Sequence, residues 1–406
     1  MPNPLRILRT VSCPAAARAI AARLVPPARS QRCSKQKFDL VHNGRSVAAS
    51  LVASVLVAAC GGDGGSGGQP VPAEIQKVLD KPAYAAATWG LHVIDLDTGE
   101  VLQDLNADRR LLIASVRKTF SIGLALDELG PDYRFRTPIH RLGSVDASGV
   151  LAGHLVLVAS GDPAMGGRTN PDGTYAIPDY DHNEANGLGN AVLPTPDPLA
   201  GFDSLARQVA ASGITQVAGD VVVDERLFEP FDFRGEFMLS PMFVNDDVVD
   251  VSVGAAGAVE WRPRSAAFTV QSTLGVGAAG SALDLTLSPV LPTCFGTPGC
   301  RGQVTGSLPA GFVPPLTGQF PIVRTFRITN PGAYARTVLI EALGRAGVAV
   351  SAPAVAPNPV SLLPASRTYA DSTRVAELVS LPYLDTARHV MKVSYNLGAD
   401  ASLLLY

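Results

Sequence analysis

The sequence predicts an α+β protein in which helix-bearing segments enclose a β-rich middle. Three observations carry this. Apolar residues recur at helical spacing after residue 114 and again after residue 330. Between about residues 145 and 320 the texture changes to short β-type runs separated by Gly, Pro and Asp. The chain has 406 residues, 47% of them hydrophobic, enough for more than one unit with a core of its own. The arrangement reads as one domain with another inserted into it. The expected divisions are a leader over 1–59, a Gly/Ser tether over 60–74, the main domain over 75–145 and 321–406, and a β-rich insert over 146–320.

In chain order, residues 46–59 form an uncharged run of small and aliphatic residues, preceded by Arg45 and, further back, Arg32, Lys35 and Lys37. This is the pattern of a signal-peptide h-region with a basic n-region. Its 14 residues fall short of the ~20 a spanning helix needs. The run ends Val57-Ala58-Ala59-Cys60, which resembles the bacterial lipobox, where the cysteine is diacylated and becomes the new N-terminus. A Gly/Ser stretch over 61–68 follows at once, a flexible tether for a domain held off a membrane. The expectation is a periplasmic protein, lipid-anchored through Cys60 to the outer membrane; soluble release after cleavage near the same point is the alternative. The first 40 residues, rich in Arg and Ala, lie far upstream of this leader and read as an over-extended start, which N-terminal sequencing of the precursor would test.

Residues 90–102 alternate around Asp97-Thr98-Gly99 as a β-hairpin does. A helix begins near Ala114 or Ser115, carries Val116, Phe120, Leu124 and Leu129 as apolar positions, and stops at Gly130-Pro131. Strands are expected over 154–159, 220–224, 248–253, 268–272 and 283–287, with one helix over 202–211 closed by Gly213. Residues 170–198 are loop-like. They hold Asp179, Asp181 and Asn183 at alternate positions, but Glu184 stands where a calcium loop of the EF-hand kind needs glycine, so no metal is expected. Near 321 helical texture resumes: Asn330 is an N-cap, Pro331 sits in the first turn, and Ala335, Val338, Leu339, Ala342 and Leu343 line one face before Gly347.

The net charge of −3 comes from 33 basic and 36 acidic residues with no basic cluster, which argues against nucleic acid as a partner. Of the five cysteines, Cys13 and Cys33 fall in the leader and Cys60 at its end; Cys294 and Cys300 share a Gly/Pro loop. That last pair is the disulfide candidate in an oxidising compartment, against the alternative of two unpaired loop thiols.

Ser115-Val116-Arg117-Lys118 places a hydroxyl and an amine at i and i+3, on one face of a first helical turn. A lysine held near a serine hydroxyl accepts its proton if burial lowers the amine's pKa, and helix-terminal N–H groups favour the charge that develops on attack. Alone, this S-x-x-K is weak, because an N-cap serine and an exposed lysine give the same pattern. Ser394-Tyr395-Asn396 has the S-x-N form that accompanies S-x-x-K in penicillin-binding serine enzymes.

The text around both motifs resembles the peptidase S13 family of D-Ala-D-Ala carboxypeptidase/endopeptidases, the group of penicillin-binding protein 4. The resemblance is carried by Ala114-Ser115-Val116-Arg117-Lys118, Leu129-Gly130-Pro131-Asp132-Tyr133-Arg134-Phe135, Ser160-Gly161-Asp162-Pro163, and Gly219-Asp220 with Asp224 and Phe228. It continues through Val244-Asn245-Asp246-Asp247-Val248-Val249, Asn330-Pro331-Gly332-Ala333-Tyr334 and Lys392-Val393-Ser394-Tyr395-Asn396-Leu397, in family order from about residue 75. The two motifs lie 279 positions apart, far more than in relatives without inserted domains such as class A β-lactamases. The resemblance implies a transpeptidase-like domain, an antiparallel sheet with helices, interrupted by the insert. It implies Ser115 as acylated nucleophile, Lys118 as general base, and Ser394 and Asn396 as proton relay and substrate clamp. The implied substrate is the D-Ala-D-Ala end of peptidoglycan stem peptides or the cross-link between stems; penicillins would acylate the same serine. No metal or organic cofactor is implied.

Two departures stand out. Asp400 occupies a position where the family usually carries Glu. No K-T-G triad occurs anywhere, and the sequence ends at Tyr406, twelve residues past Ser394. The expectation is therefore a C-terminally truncated chain that lacks the last strands of its sheet, leaves Leu403, Leu404 and Leu405 uncovered, and is poorly stable and essentially inactive as written. A catalytically inactive lipoprotein that binds peptidoglycan is the competing expectation.

Overall fold

The computed structural model describes residues 71–405; the leader, Cys60 and most of the tether lie outside them. The described chain divides into two compact units, one ending at Ala107 and one beginning at Asp108. No helix among the described residues is long and apolar enough to cross a membrane.

In the first unit, helix α1 (Ala73–Leu79) precedes the antiparallel hairpin of β1 (Leu91–Ile94) and β2 (Val101–Leu105), with Leu91 opposite Leu105. The turn is held by Asp95, whose Oδ1 accepts from the backbone N–H groups of Asp97 at 2.9 Å and Thr98 at 2.8 Å. A carboxylate that satisfies two turn amides explains why this Asp-rich stretch reverses the chain.

The second unit opens with a 3₁₀ turn over Ala114–Arg117 that runs into α2 (Lys118–Leu129). Gly130, at φ 85°, ends the helix in a conformation that costs an L side chain energy. The inward face of α2 is Lys118, Ile122 and Ala125, not the Val116, Phe120 and Leu124 stripe, which is exposed. The long strands β3 (Arg136–Val145) and β4 (Val150–Val158) then form an antiparallel hairpin with Ile139 opposite Leu157. After a loop, helices α3 (Ala185–Leu188) and α4 (Ala200–Ala211) lead to β5 (Gln216–Val217) and β6 (Val221–Asp224), both parallel to β4.

Among the described residues the middle of the chain supplies two smaller sheets and a hairpin, β7 (Phe231–Phe233) with β8 (Phe237–Leu239). One sheet orders β10 (Val259–Arg262), β9 (Val248–Val253) and β15 (Ile322–Arg327). The other gathers β11 (Thr269–Ser272), β12 (Gly275–Gly277) and β13 (Asp284–Ser288) around β14 (Arg301–Pro309). Residues 322–327, where helical texture was expected to resume, are thus a strand: Ile322, Val323 and Thr325 are β-branched, and with both faces covered no alternation marks them.

Helix α5 (Pro331–Arg345) starts as expected, the Asn330 side chain accepting from the Ala333 N–H at 3.1 Å. Its Val338, Leu339 and Leu343 are fully buried, each contributing about 1.5–3 kcal/mol of apolar burial. Strands β16 (Ala349–Val350) and β17 (Arg374–Val379) complete a six-stranded mixed sheet in the order β16-β5-β4-β3-β17, with β6 beside β4. Helix α6 (Tyr383–Val393) and the short α7 (Asn396–Ser402) close the description, both packed against α2.

The class is α+β, as the sequence predicts. The division drawn at 145/146 falls in the turn of the β3–β4 hairpin, and that at 320/321 falls just before β15. Of the three terminal leucines, Leu404 and Leu405 pack against the core, whereas Leu403 stays exposed and lines one surface hollow with Phe120 and Leu124.

Candidate active site

Two left-handed residues shape the site. Ala114, at φ 44°, sets the turn that presents Ser115; Ser394, at φ 63°, ends α6 and turns its own hydroxyl back toward α2. Each such conformation costs a non-glycine residue about 1–2 kcal/mol, which the surrounding packing must outweigh. Behind Ser394, Tyr395 is buried in the core, and Gly398 lies so close to its ring that an added Cβ would stand 2.5 Å from Tyr395 Cδ1. The turn between α6 and α7 is thereby fixed.

Lys118 lies on the inner face of α2 at 2% exposure. Its Nζ donates to Ser115 Oγ at 2.8 Å, to Ser394 Oγ at 3.2 Å and to Asn396 Oδ1 at 2.6 Å. These three bonds use all the donors of an ammonium. Ser394 Oγ donates to Ser115 Oγ at 2.7 Å, so the two hydroxyls and the amine form a closed triangle. Ser115 itself is exposed, at the mouth of the site. Burial pushes the Lys118 amine below its usual range and the Arg117 charge adds to this, while Asp400 and Glu184 oppose it. The arrangement can move a proton from one hydroxyl to the amine and hand it on through the other.

All four residues singled out for chemistry in the sequence, Ser115, Lys118, Ser394 and Asn396, therefore meet. The other sites do not join them. Cys294 and Cys300 form a disulfide in the loop between β13 and β14. Asp181, one of the alternating acidic positions, is buried against Arg168, and among the described residues no cluster of His, Cys, Asp and Glu is arranged to hold a metal.

Sequence reasoning missed three features. Asp400 pairs with Arg117 at 3.2 Å across the outer side of the site. Glu184 Oε1 accepts from Asn396 Nδ2 at 3.1 Å. Behind both lies a buried ionic cluster. Arg168 donates to both oxygens of Asp181 at 2.8 and 2.9 Å and to Asp246 at 2.9 Å, and His182 bridges Asp246 at 2.8 Å and Asp250 at 2.7 Å. Asn245, Asp246 and Asp247 are all left-handed, a conformation Asn and Asp tolerate better than most, and this turn aims Asp246 at the cluster. The acidic run at 245–247 was the one local sign of it.

A family model described as the D-Ala-D-Ala carboxypeptidase 3 (S13) family matches residues 71–404. A D-alanyl-D-alanine carboxypeptidase from Actinomadura sp. (strain R39) is 28% identical over 302 residues, covering 68% of this chain and 47% of that protein. The chain thus spans about half the length of that curated relative. Among solved structures, penicillin binding protein 4 from Haemophilus influenzae matches with a TM-score of 0.50 and 19% identity over 77% of this chain and 61% of that one. At that identity the likeness concerns the fold.

Proposed function

Because the chain belongs to the D-Ala-D-Ala carboxypeptidase 3 (S13) family, we propose that it is a penicillin-binding serine hydrolase acting on the D-Ala-D-Ala ends or cross-links of peptidoglycan stem peptides. The observation that carries this is the buried Lys118 amine bonded at once to Ser115, Ser394 and Asn396. In the neutral form that burial favours, Nζ takes the proton from Ser115 Oγ as that oxygen adds to the carbonyl carbon of the scissile amide. An N–H of Asn396 steadies the substrate carbonyl. As the C–N bond breaks, the proton passes from Nζ through Ser394 to the departing amine, leaving an ester on Ser115. Water, deprotonated by the same amine, then adds to the ester and releases the acid and the serine. A β-lactam follows the first half of this path, its ring nitrogen taking the place of the departing amine.

The protein is further proposed to be exported and held at the outer membrane through a lipid on Cys60. Palmitate labelling of the wild type that persists unchanged in Cys60→Ala would end that proposal.

Fluorescent penicillin applied to the 406-residue protein tests the chemistry. The sequence alone, with no K-T-G triad, leads one to expect an inactive chain; because nucleophile, base and relay are already assembled, the result expected here is instead one labelled band, lost in Ser115→Ala. Label that survives in Ser115→Ala puts the nucleophile elsewhere. A wild-type protein that takes no label yet is retained on peptidoglycan is a wall-binding lipoprotein instead.

A further inference from the structure

Glu184 is a charged group at the site for which the mechanism above has no use. It belongs to a segment 212 positions before Asn396, and its Oε1 accepts from Asn396 Nδ2 at 3.1 Å, while Asn396 Oδ1 accepts from Lys118 Nζ at 2.6 Å. An ammonium only donates, and an ionised carboxylate only accepts. Set on opposite sides of one amide, they leave it a single satisfactory orientation while Lys118 is protonated. The neutral amine keeps that orientation when its lone pair is taken by the Ser115 hydroxyl, since its remaining N–H groups still donate to Asn396 and Ser394. The reversed amide would press its NH2 against the Lys118 ammonium and its carbonyl against the Glu184 carboxylate.

The turn that carries Glu184 is anchored for this. Residues His182–Glu184 form a 3₁₀ turn capped by Asp181, whose side chain accepts from the Asn183 N–H at 3.1 Å. Asp181 is held by Arg168, and His182 by Asp246 and Asp250, all buried. Asp181 Oδ2 also lies 3.2 Å from His389 Nε2 on α6, and the His389 ring packs on Tyr395 at 4.9 Å. The segment that delivers Glu184 and the helix that leads to Asn396 thus share one buried carboxylate, so their relative position is fixed to within a hydrogen bond.

We propose that Glu184 is a positioning residue: its carboxylate holds the Asn396 amide with the oxygen toward Lys118 and leaves the second Nδ2–H for the substrate carbonyl. This rests on the reading of Asn396 as substrate clamp. The charged groups acting on Lys118 are Arg117, Asp400 and Glu184. Those acting on Glu184 are Arg327, Lys118, Glu236 and Asp181, and burial pushes its carboxyl up. Removing the Glu184 charge withdraws one of the two anions that favour the Lys118 ammonium, so Lys118 must lose its proton at lower pH.

The test uses Glu184→Gln and Glu184→Ala in the 406-residue protein, with two readouts. One is the Lys118 titration, followed by NMR of 13C-labelled lysine Cε and assigned with Lys118→Arg, which needs no turnover. The other is the rate of penicillin acylation across pH. Glu184→Gln is isosteric and keeps an acceptor for Asn396. It should move the Lys118 midpoint and the rising limb of acylation to lower pH, with the plateau rate within about threefold of wild type. Glu184→Ala also removes the acceptor and should lower the plateau about tenfold, the effect of losing one hydrogen bond in the transition state. An unmoved Lys118 midpoint in Glu184→Gln, or an unchanged plateau in Glu184→Ala, overturns the proposal. A wild type that never acylates, but whose Lys118 midpoint falls in Glu184→Gln, leaves the placement of Glu184 standing and sinks the hydrolase reading.

Discussion

Lys118 and His182 are both withdrawn from water, at 2% and 0% exposure, yet their surroundings push them in opposite directions. The bonding partners of Lys118 are two hydroxyls and an amide oxygen, none of them charged. Burial therefore prevails, and its amine sits below the usual range. Burial also works against the His182 imidazolium, but the Asp250 and Asp181 carboxylates, with the Asp246 hydrogen bond, outweigh it and hold the ring up at about 9. Burial sets the penalty for charge, and the formal charge of the partners decides whether that penalty is met. The first environment leaves an amine of lowered pKa beside an exposed serine hydroxyl; the second ties loop, strand and helix together.

The strongest way to break the comparison is to unpair the closed cluster. Arg168→Leu removes the guanidinium shared by Asp181 and Asp246, leaves His182 as their remaining cation against three aspartates, and should lower the unfolding free energy by about 3–5 kcal/mol in urea titrations. A loss under about 1 kcal/mol would mean that these pairs behave like exposed ones.

A pH series separates the two environments by sign. The folded pKa of His182 is raised from 6.5 to about 9, so its contribution is complete below 6.5 and is lost as pH rises through about 9. That loss amounts to at most about 3 kcal/mol. Lys118 runs the other way: its lowered pKa makes stability rise with pH as the ordinary value of 10.5 is approached. Stability measured from pH 6 to 10 should therefore fall in the wild type and flatten in His182→Asn. Equal slopes in the two proteins would remove His182 from the account.

The smallest effect on stability and the sharpest on chemistry should come from Lys118→Met. Deleting a buried charge that has only neutral bonding partners should leave the unfolding free energy unchanged or higher. Penicillin acylation should slow by at least the ~10²-fold typical of losing a general base. A large loss of stability with acylation retained would make Lys118 a structural residue.

Some of this was legible from residue spacing. Ser115 and Lys118 meet because i and i+3 share a helix face, and Gly130 and Asn330 bound their helices where turn chemistry places them. Other features gave no local sign. The strand over 322–327 is covered on both faces and so lacks the alternation that would reveal it. Glu184 sits in a loop-like stretch where nothing marks it as neighbour to an amide 212 positions away.

By itself, then, the sequence determined the α+β class, the helix bearing Ser115 and Lys118, and the identity of the four residues that meet at the site. The class and the helix depend on nearest neighbours in the chain, on period and on turn propensity; the four residues were picked out by the resemblance of the surrounding text to the S13 family. Only the tertiary structure decided which face of α2 turns inward, that β3 pairs with β17 across more than 200 residues, and that three aspartates are paired with Arg168, His182 and Arg262. Burial and charge compensation are properties of what surrounds a group in space. A residue's own neighbours in sequence carry no record of them.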